Sequence, residues 1–156
     1  MTGGEAGVRA FLASPAAQMM QAALDIDALL EDAIAIQQIP APTFSEAARA
    51  AHVAQRFAAA GLSDIGRDDV ENVYGRWPGR SPDAPALLIS AHTDTVFPAD
   101  ADLTLRHDDQ RIYGPGLGDN SLGVAGLLGL LRLWAAADFR PNSDVWLVAN
   151  TREEGL

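Results

Sequence analysis

Apolar positions in this chain recur first at helical spacing and later at strand spacing. From Pro15 to Gln38, the residues Met19, Ala22, Ala23, Ile26, Leu29, Leu30, Ala33 and Ile34 return every three or four positions, which predicts one amphipathic helix. Ser14-Pro15 supplies a cap and first-turn pair, and Pro40 and Pro42 end the helix because proline lacks an amide hydrogen. A second helix is predicted from Ser45 to Gly61, with Ala47, Ala50, Ala51, Ala54, Phe57 and Ala58 on its buried side. Short strands are expected near Ser63–Gly66 and Asn72–Trp77. The continuous apolar run Ala86–Ala91 reads as a strand buried on both faces.

Leu103–Leu105 and Arg111–Tyr113 suggest a hairpin. Leu122–Trp134 predicts an apolar helix whose Gly123, Gly126 and Gly129 allow close approach to a sheet, and Val145–Ala149 a further buried strand. Residues 1–13 read as a loose, Gly-containing leader. Strand, helix, strand in that order implies a parallel βαβ unit with a right-handed crossover. The expected architecture is α/β, a three-layer αβα sandwich around a mostly parallel central sheet.

Composition narrows the partners. The chain has 156 residues, enough for one domain with a core. A net charge of −10 argues against nucleic acid or an anionic membrane surface, both of which need a basic face. With no cysteine, any metal must be held by His, Asp and Glu. No stretch approaches the roughly 20 apolar residues of a membrane span, and Met1–Ala10 lacks the pattern of a secretory signal. A cytoplasmic location is the expectation.

Three polar runs sit where predicted strands give way to loops: His92-Thr93-Asp94, Gly114-Pro115-Gly116-Leu117-Gly118-Asp119-Asn120 and Glu153-Glu154-Gly155. Ligands of open α/β sheets gather outside the carboxyl ends of the strands, where all three would converge. His92 offers an imidazole nitrogen to a metal, and Asp94, two residues on, can hydrogen-bond the other ring nitrogen. A carboxylate such as Asp119 can bridge two cations about 3.5–4 Å apart, but an Asp before an apolar helix is equally an ordinary N-cap. Of the adjacent acids, Glu154 can bind metal while Glu153 takes a proton from an activated water; such pairs on loops are more often only solvated. Taken singly the motifs are weak, and their order along the chain is the stronger signal.

Those runs resemble the dizinc exopeptidases and N-acyl-amino-acid hydrolases, a family that includes acetylornithine deacetylase, succinyl-diaminopimelate desuccinylase and peptidase T. The likeness extends from Leu24 through Ile39-Pro40-Ala41-Pro42-Thr43 to Leu156. It implies two divalent metal ions, Zn with Mn or Co as alternatives. His92 would ligate one ion, Asp119 would bridge, Glu154 would ligate the other, Glu153 would be the general acid/base and Asp94 would orient His92. It also implies a cis peptide after Asp119. The family uses a further acidic ligand, a later histidine and an inserted lid or dimerisation domain. None has a counterpart in residues 14–156, which therefore read as the N-terminal portion of a catalytic domain. Each ion would have two protein ligands where catalytic zinc usually has three, so weak metal binding and little hydrolysis are expected of these residues alone. Any homodimer would form through the missing domain.

The expected substrate is a short peptide, cut by a tripeptidase-like exopeptidase, with N-acyl amino acids as the alternative. A non-catalytic module that completes another polypeptide is a further reading. A nucleotide-binding loop at Gly114–Asn120 is disfavoured, since it lacks the Lys-Ser/Thr ending of a P-loop and its carboxylate would repel an anion. His52 and His107 read as solvated, Ser121 as no nucleophile for want of an activating histidine, and Trp77, Trp134 and Trp146 as packing residues.

Overall fold

A computed structural model describes residues 3–81 and 83–155. Its elements run α1 (Gly3–Leu12), α2 (Pro15–Ala22), α3 (Ile26–Gln37), α4 (Ala47–Ala59), β1 (Ser63–Arg67), β2 (Val73–Trp77), β3 (Leu87–His92), β4 (Arg106–His107), β5 (Ile112–Tyr113), α5 (Leu122–Ala136) and β6 (Val145–Asn150). Four strands form one sheet in the order β1-β2-β6-β3, and β4 and β5 pair as a separate hairpin.

The α/β class is as the sequence predicts, a sheet flanked by helices, but the sheet is mixed. Only β3 and β6 run parallel, joined by α5 as the expected βαβ unit, while β2 pairs antiparallel with both β1 and β6. The short connection between β1 and β2 accounts for their antiparallel pairing, because tight turns join only antiparallel strands.

Register sorts the two faces. Val73, Val145, Leu147, Ala149 and Ala91 lie on one side and pack with Ile36, Val53, Phe57, Val124, Leu128 and Leu131 from α3, α4 and α5. Those helices form one layer, tied together by the Asp32 carboxylate of α3, which pairs with Arg56 of α4 and Arg132 of α5. The opposite face carries Tyr74, Arg76, Trp146, Val148, Leu88 and Ser90, none of them buried. The described residues thus supply one of the two helical layers of the expected sandwich.

Further expectations need correction, among them the strand at Leu103–Leu105, where β4 is instead Arg106–His107. β3 is an edge strand rather than one buried on both faces, with Leu87 and Leu88 exposed by 55% and 62%. Where a loose leader was expected, Gly3–Leu12 is helical, and Phe11 packs edge-on against Phe139 at 6.0 Å; residues 1 and 2 lie outside the described residues. The long helix from Pro15 is two, because Asp25 turns extended and accepts the Ala28 amide at 2.9 Å as an N-cap. The α5 glycines do not open it to the sheet: Gly123 faces the Asn120 side chain, Gly129 faces Leu29 of α3, and Gly126 is exposed.

On α4, Ala47 and Ala58 are exposed, and the buried stripe is Arg49, Ala50, Val53 and Phe57. Trp77 and Trp134 do pack together, with centroids 5.7 Å apart. No helix among the described residues is long and apolar enough to cross a membrane.

Candidate metal centre

Parallel pairing of β3 with β6 brings both carboxyl ends to one edge, with His92 opposite Asn150. Beyond His92 the chain is held on two sides: the Thr93 amide and hydroxyl donate to Asn150 O at 2.7 and 3.0 Å, and the Thr95 amide donates to Ala41 O at 2.9 Å. The imidazole is fixed between two carboxylate residues. Its Nε2 lies 3.0 Å from Asp119 Oδ1; its Nδ1 lies 3.2 Å from the Asp94 carbonyl and 3.5 Å from Asp94 Oδ1.

Asp119 comes from an irregular turn, Leu117–Ser121, that leads into α5 through a cis Asp119–Asn120 bond. Gly116 makes the approach possible: its φ is +68°, and a Cβ there would sit 2.8 Å from Thr95 Cγ2. From the other side Gln37, fully buried, donates to Pro115 O at 3.0 Å and Leu103 O at 3.2 Å. Asp119 does not cap α5, whose N-cap position is Ser121; its carboxylate, 79% exposed, turns to His92 instead.

The third segment turns sharply after β6. Thr151 is locked by its amide to Asn72 Oδ1 (2.8 Å) and its hydroxyl to Val70 O (2.6 Å). The Glu153 and Glu154 amides then donate to the two oxygens of the fully buried Asp94 at 3.0 and 2.9 Å, and the Thr43 hydroxyl adds a third bond at 2.9 Å. Burial pushes the Asp94 carboxyl up, but those amides and that hydroxyl outweigh it and hold the group below the usual aspartate value.

All five residues singled out in the sequence are therefore together at one sheet edge. Donor atoms of His92, Glu153 and Glu154 lie within 4.8 Å of one another, and Asp119 joins them through His92 Nε2. One imidazole nitrogen and several carboxylate oxygens, converging and solvent-accessible, are a donor set that fits a divalent cation of the Zn, Mn or Co type. His107 stands exposed in the β4–β5 hairpin, His52 is half-buried on α4, and Ser121 is buried with no partner for its hydroxyl among the described residues.

Sequence reasoning missed the groups beneath the site. Arg49, buried on α4, donates to Ile39 O (2.9 and 2.5 Å) and Thr93 O (2.7 Å). Burial lowers its pKa to about 10, with the Asp94 charge acting the other way. Glu46, one turn earlier, accepts the Phe44 and Arg152 amides. The available signal was their spacing, since both are in phase with Ala50, Val53 and Phe57.

A helix-flanked mixed sheet with an imidazole and acids at the ends of its parallel strands is the fold of the zinc exopeptidases. Residues 72–156, more than half of the chain, match the sequence profile of peptidase family M28, and the chain belongs to that family. Succinyl-diaminopimelate desuccinylase of Delftia acidovorans is 29% identical over 100 residues, 59% of this chain and 26% of the relative. The uncharacterized protein YfbL of Escherichia coli is 40% identical over 72 residues, 46% of this chain and 20% of YfbL. The chain thus spans about a quarter of the length of these relatives or less. Among solved structures, aminopeptidase PepT of Bacillus cereus superposes with a TM-score of 0.73 at 19% identity, over 85% of this chain and 38% of that one. A tripeptidase of Staphylococcus aureus gives 0.72 at 25% identity with the same coverage.

Proposed function

We propose that the protein is a metal-dependent hydrolase of amide bonds in short peptides, in which His92, Asp119 and Glu154 would hold the divalent ions. The convergence of His92, Glu153 and Glu154 donor atoms within 4.8 Å carries this reading, and membership of a peptidase family supports it. Bound divalent ions would polarise the scissile carbonyl and make water acidic enough to lose a proton near neutral pH. Glu153, 56% exposed beside His92, is free to accept that proton and deliver it to the leaving amine. Asp94 holds His92 from the Nδ1 side, leaving Nε2 directed at the site, and fixes the backbone that carries both glutamates.

The test is metal uptake together with turnover of a tripeptide, in protein that also carries the further acidic ligand and later histidine that the resemblance implies. His92→Ala and Asp119→Ala should each lower zinc affinity at least about tenfold, the scale on which disturbing a metal site is felt. Glu153→Gln should leave metal content unchanged and abolish hydrolysis. Loss of metal in Glu153→Gln would reassign that residue as a ligand, and a wild-type protein that takes up no divalent ion would sink the reading. The desuccinylase relative favours a second substrate class, N-acyl amino acids; faster hydrolysis of an N-succinyl amino acid than of a tripeptide would select it.

A further inference from the structure

The geometry points to Glu46 as a positioning residue for the Glu153–Glu154 turn, an inference that rests on the metal-site reading above. Glu46 is 2% exposed, and a single oxygen of its carboxylate, Oε1, accepts two backbone amides from loops far apart in sequence: Phe44 at 2.9 Å and Arg152 at 3.2 Å. Both donors are non-glycine residues in the left-handed region, Phe44 at φ +71° and Arg152 at φ +61°. That conformation is unfavourable for residues carrying a Cβ and persists where surrounding bonds hold it.

The consequence is a run of three consecutive amides turned onto buried carboxylates. Arg152 donates to Glu46, and Glu153 and Glu154 donate to Asp94. Successive amides facing one way form a concavity that ordinarily binds an external anion; here the protein supplies the anions itself. Asp94 also takes the Thr43 hydroxyl, so the two carboxylates clip the same pair of loops together at neighbouring positions. The fit between the loops is close: a Cβ on Gly155 would come within 2.8 Å of Thr43 Cγ2 and 3.0 Å of Phe44 Cζ. On the outside, the Arg152 guanidinium lies over the Phe44 ring at 5.4 Å. With the amides held inward, the Glu153 and Glu154 side chains are left to face His92. Glu46 touches none of the donor atoms and acts through the backbone that bears them.

The experiment compares wild type with Glu46→Ala and Glu46→Gln, using Co(II) as the probe ion. Readings are Co(II) affinity, the visible absorption of the bound ion, and amide hydrogen exchange at Phe44 and Arg152. In Glu46→Ala, exchange at both amides should accelerate together by at least about tenfold, Co(II) affinity should fall about tenfold to a hundredfold, and the absorption bands should shift. Glu46→Gln keeps an acceptor oxygen at the same reach and should restore all three readings to near wild type. If the alanine variant does not fold, Glu46→Asp, one methylene too short to reach both amides, should give the same losses. A folded Glu46→Ala or Glu46→Asp with unchanged Co(II) affinity and spectrum overturns the positioning role. Wild-type protein that binds no Co(II) overturns the metal-site reading itself, and the role of Glu46 in it.

Discussion

Asp94 shows how one side chain joins folding to chemistry. Its two oxygens take three neutral donors inside the protein, and His92 Nδ1 lies a further 3.5 Å from Oδ1. Asp94→Ala should destabilise the fold by about 2–5 kcal/mol in urea unfolding, because two amides lose their acceptor in a buried place; an effect below about 0.5 kcal/mol would mean the turn refolds around water. A second carboxylate, Asp68, is exposed, and the Asn72 side chain and amide hold its pKa below the ordinary value. A folded-state pKa below the unfolded one contributes stability that is complete above the unfolded value of 3.8 and is lost as pH falls below it. Melting temperature should therefore drop on acidification through that range, less steeply in Asp68→Asn. At this scale the sequence picked out as candidates His92, Glu153 and Glu154, which stand at the ends of apolar strands, and Asp119, which ends a Gly-rich turn; the structure brings them together. Glu46 and Arg49 stayed hidden, since charged residues on a helix ordinarily face water and only their phase with the apolar stripe said otherwise.

Periodicity located the strands of the main sheet and the helices α4 and α5, but it missed α1, merged α2 with α3, and could not give strand direction or neighbours. β2 and β6 pair antiparallel, a direction that neither strand's own residues encode. The break between α2 and α3 was written in Asp25, whose capping bond outweighs the apolar rhythm running through Ala23 and Leu24. On α5, reading all glycines as sheet contacts missed that they point three ways. This gives a paired prediction. Gly126 is exposed with nothing within 4 Å of an added Cβ, so Gly126→Ala should raise stability by about 0.5–1 kcal/mol through helix propensity. Gly116 at φ +68° meets Thr95, so Gly116→Ala should cost about 1–2 kcal/mol or more and weaken metal uptake by displacing Asp119. Equal effects of the two alanines would contradict the roles drawn here.

Across the whole molecule, long-range charge and local apolar surface oppose each other. A net charge of −10 keeps copies apart, while β3 presents Leu87 and Leu88 along a strand whose outer edge has no partner among the described residues. Leu88 is in register with Trp146 on the face that carries no helix, and Trp146 lies 6.0 Å from Tyr74, so the exposed apolar surface is continuous. An open edge beside such a surface is a template for pairing with a second strand. At low ionic strength charge repulsion should keep the 156-residue chain monomeric; at about 1 M salt, where the screening length is about 3 Å, the edge contact should win and the weight-average mass in light scattering should rise with concentration. Leu88→Lys changes the net charge by only one unit, leaving repulsion between copies nearly as before, but it sets a cation on the open face beside that edge. It should abolish the salt-induced association, whereas Leu122→Lys, a control at an exposed leucine on α5, should not. If both variants associate like wild type, the contact lies elsewhere and β3 is not the vulnerable edge.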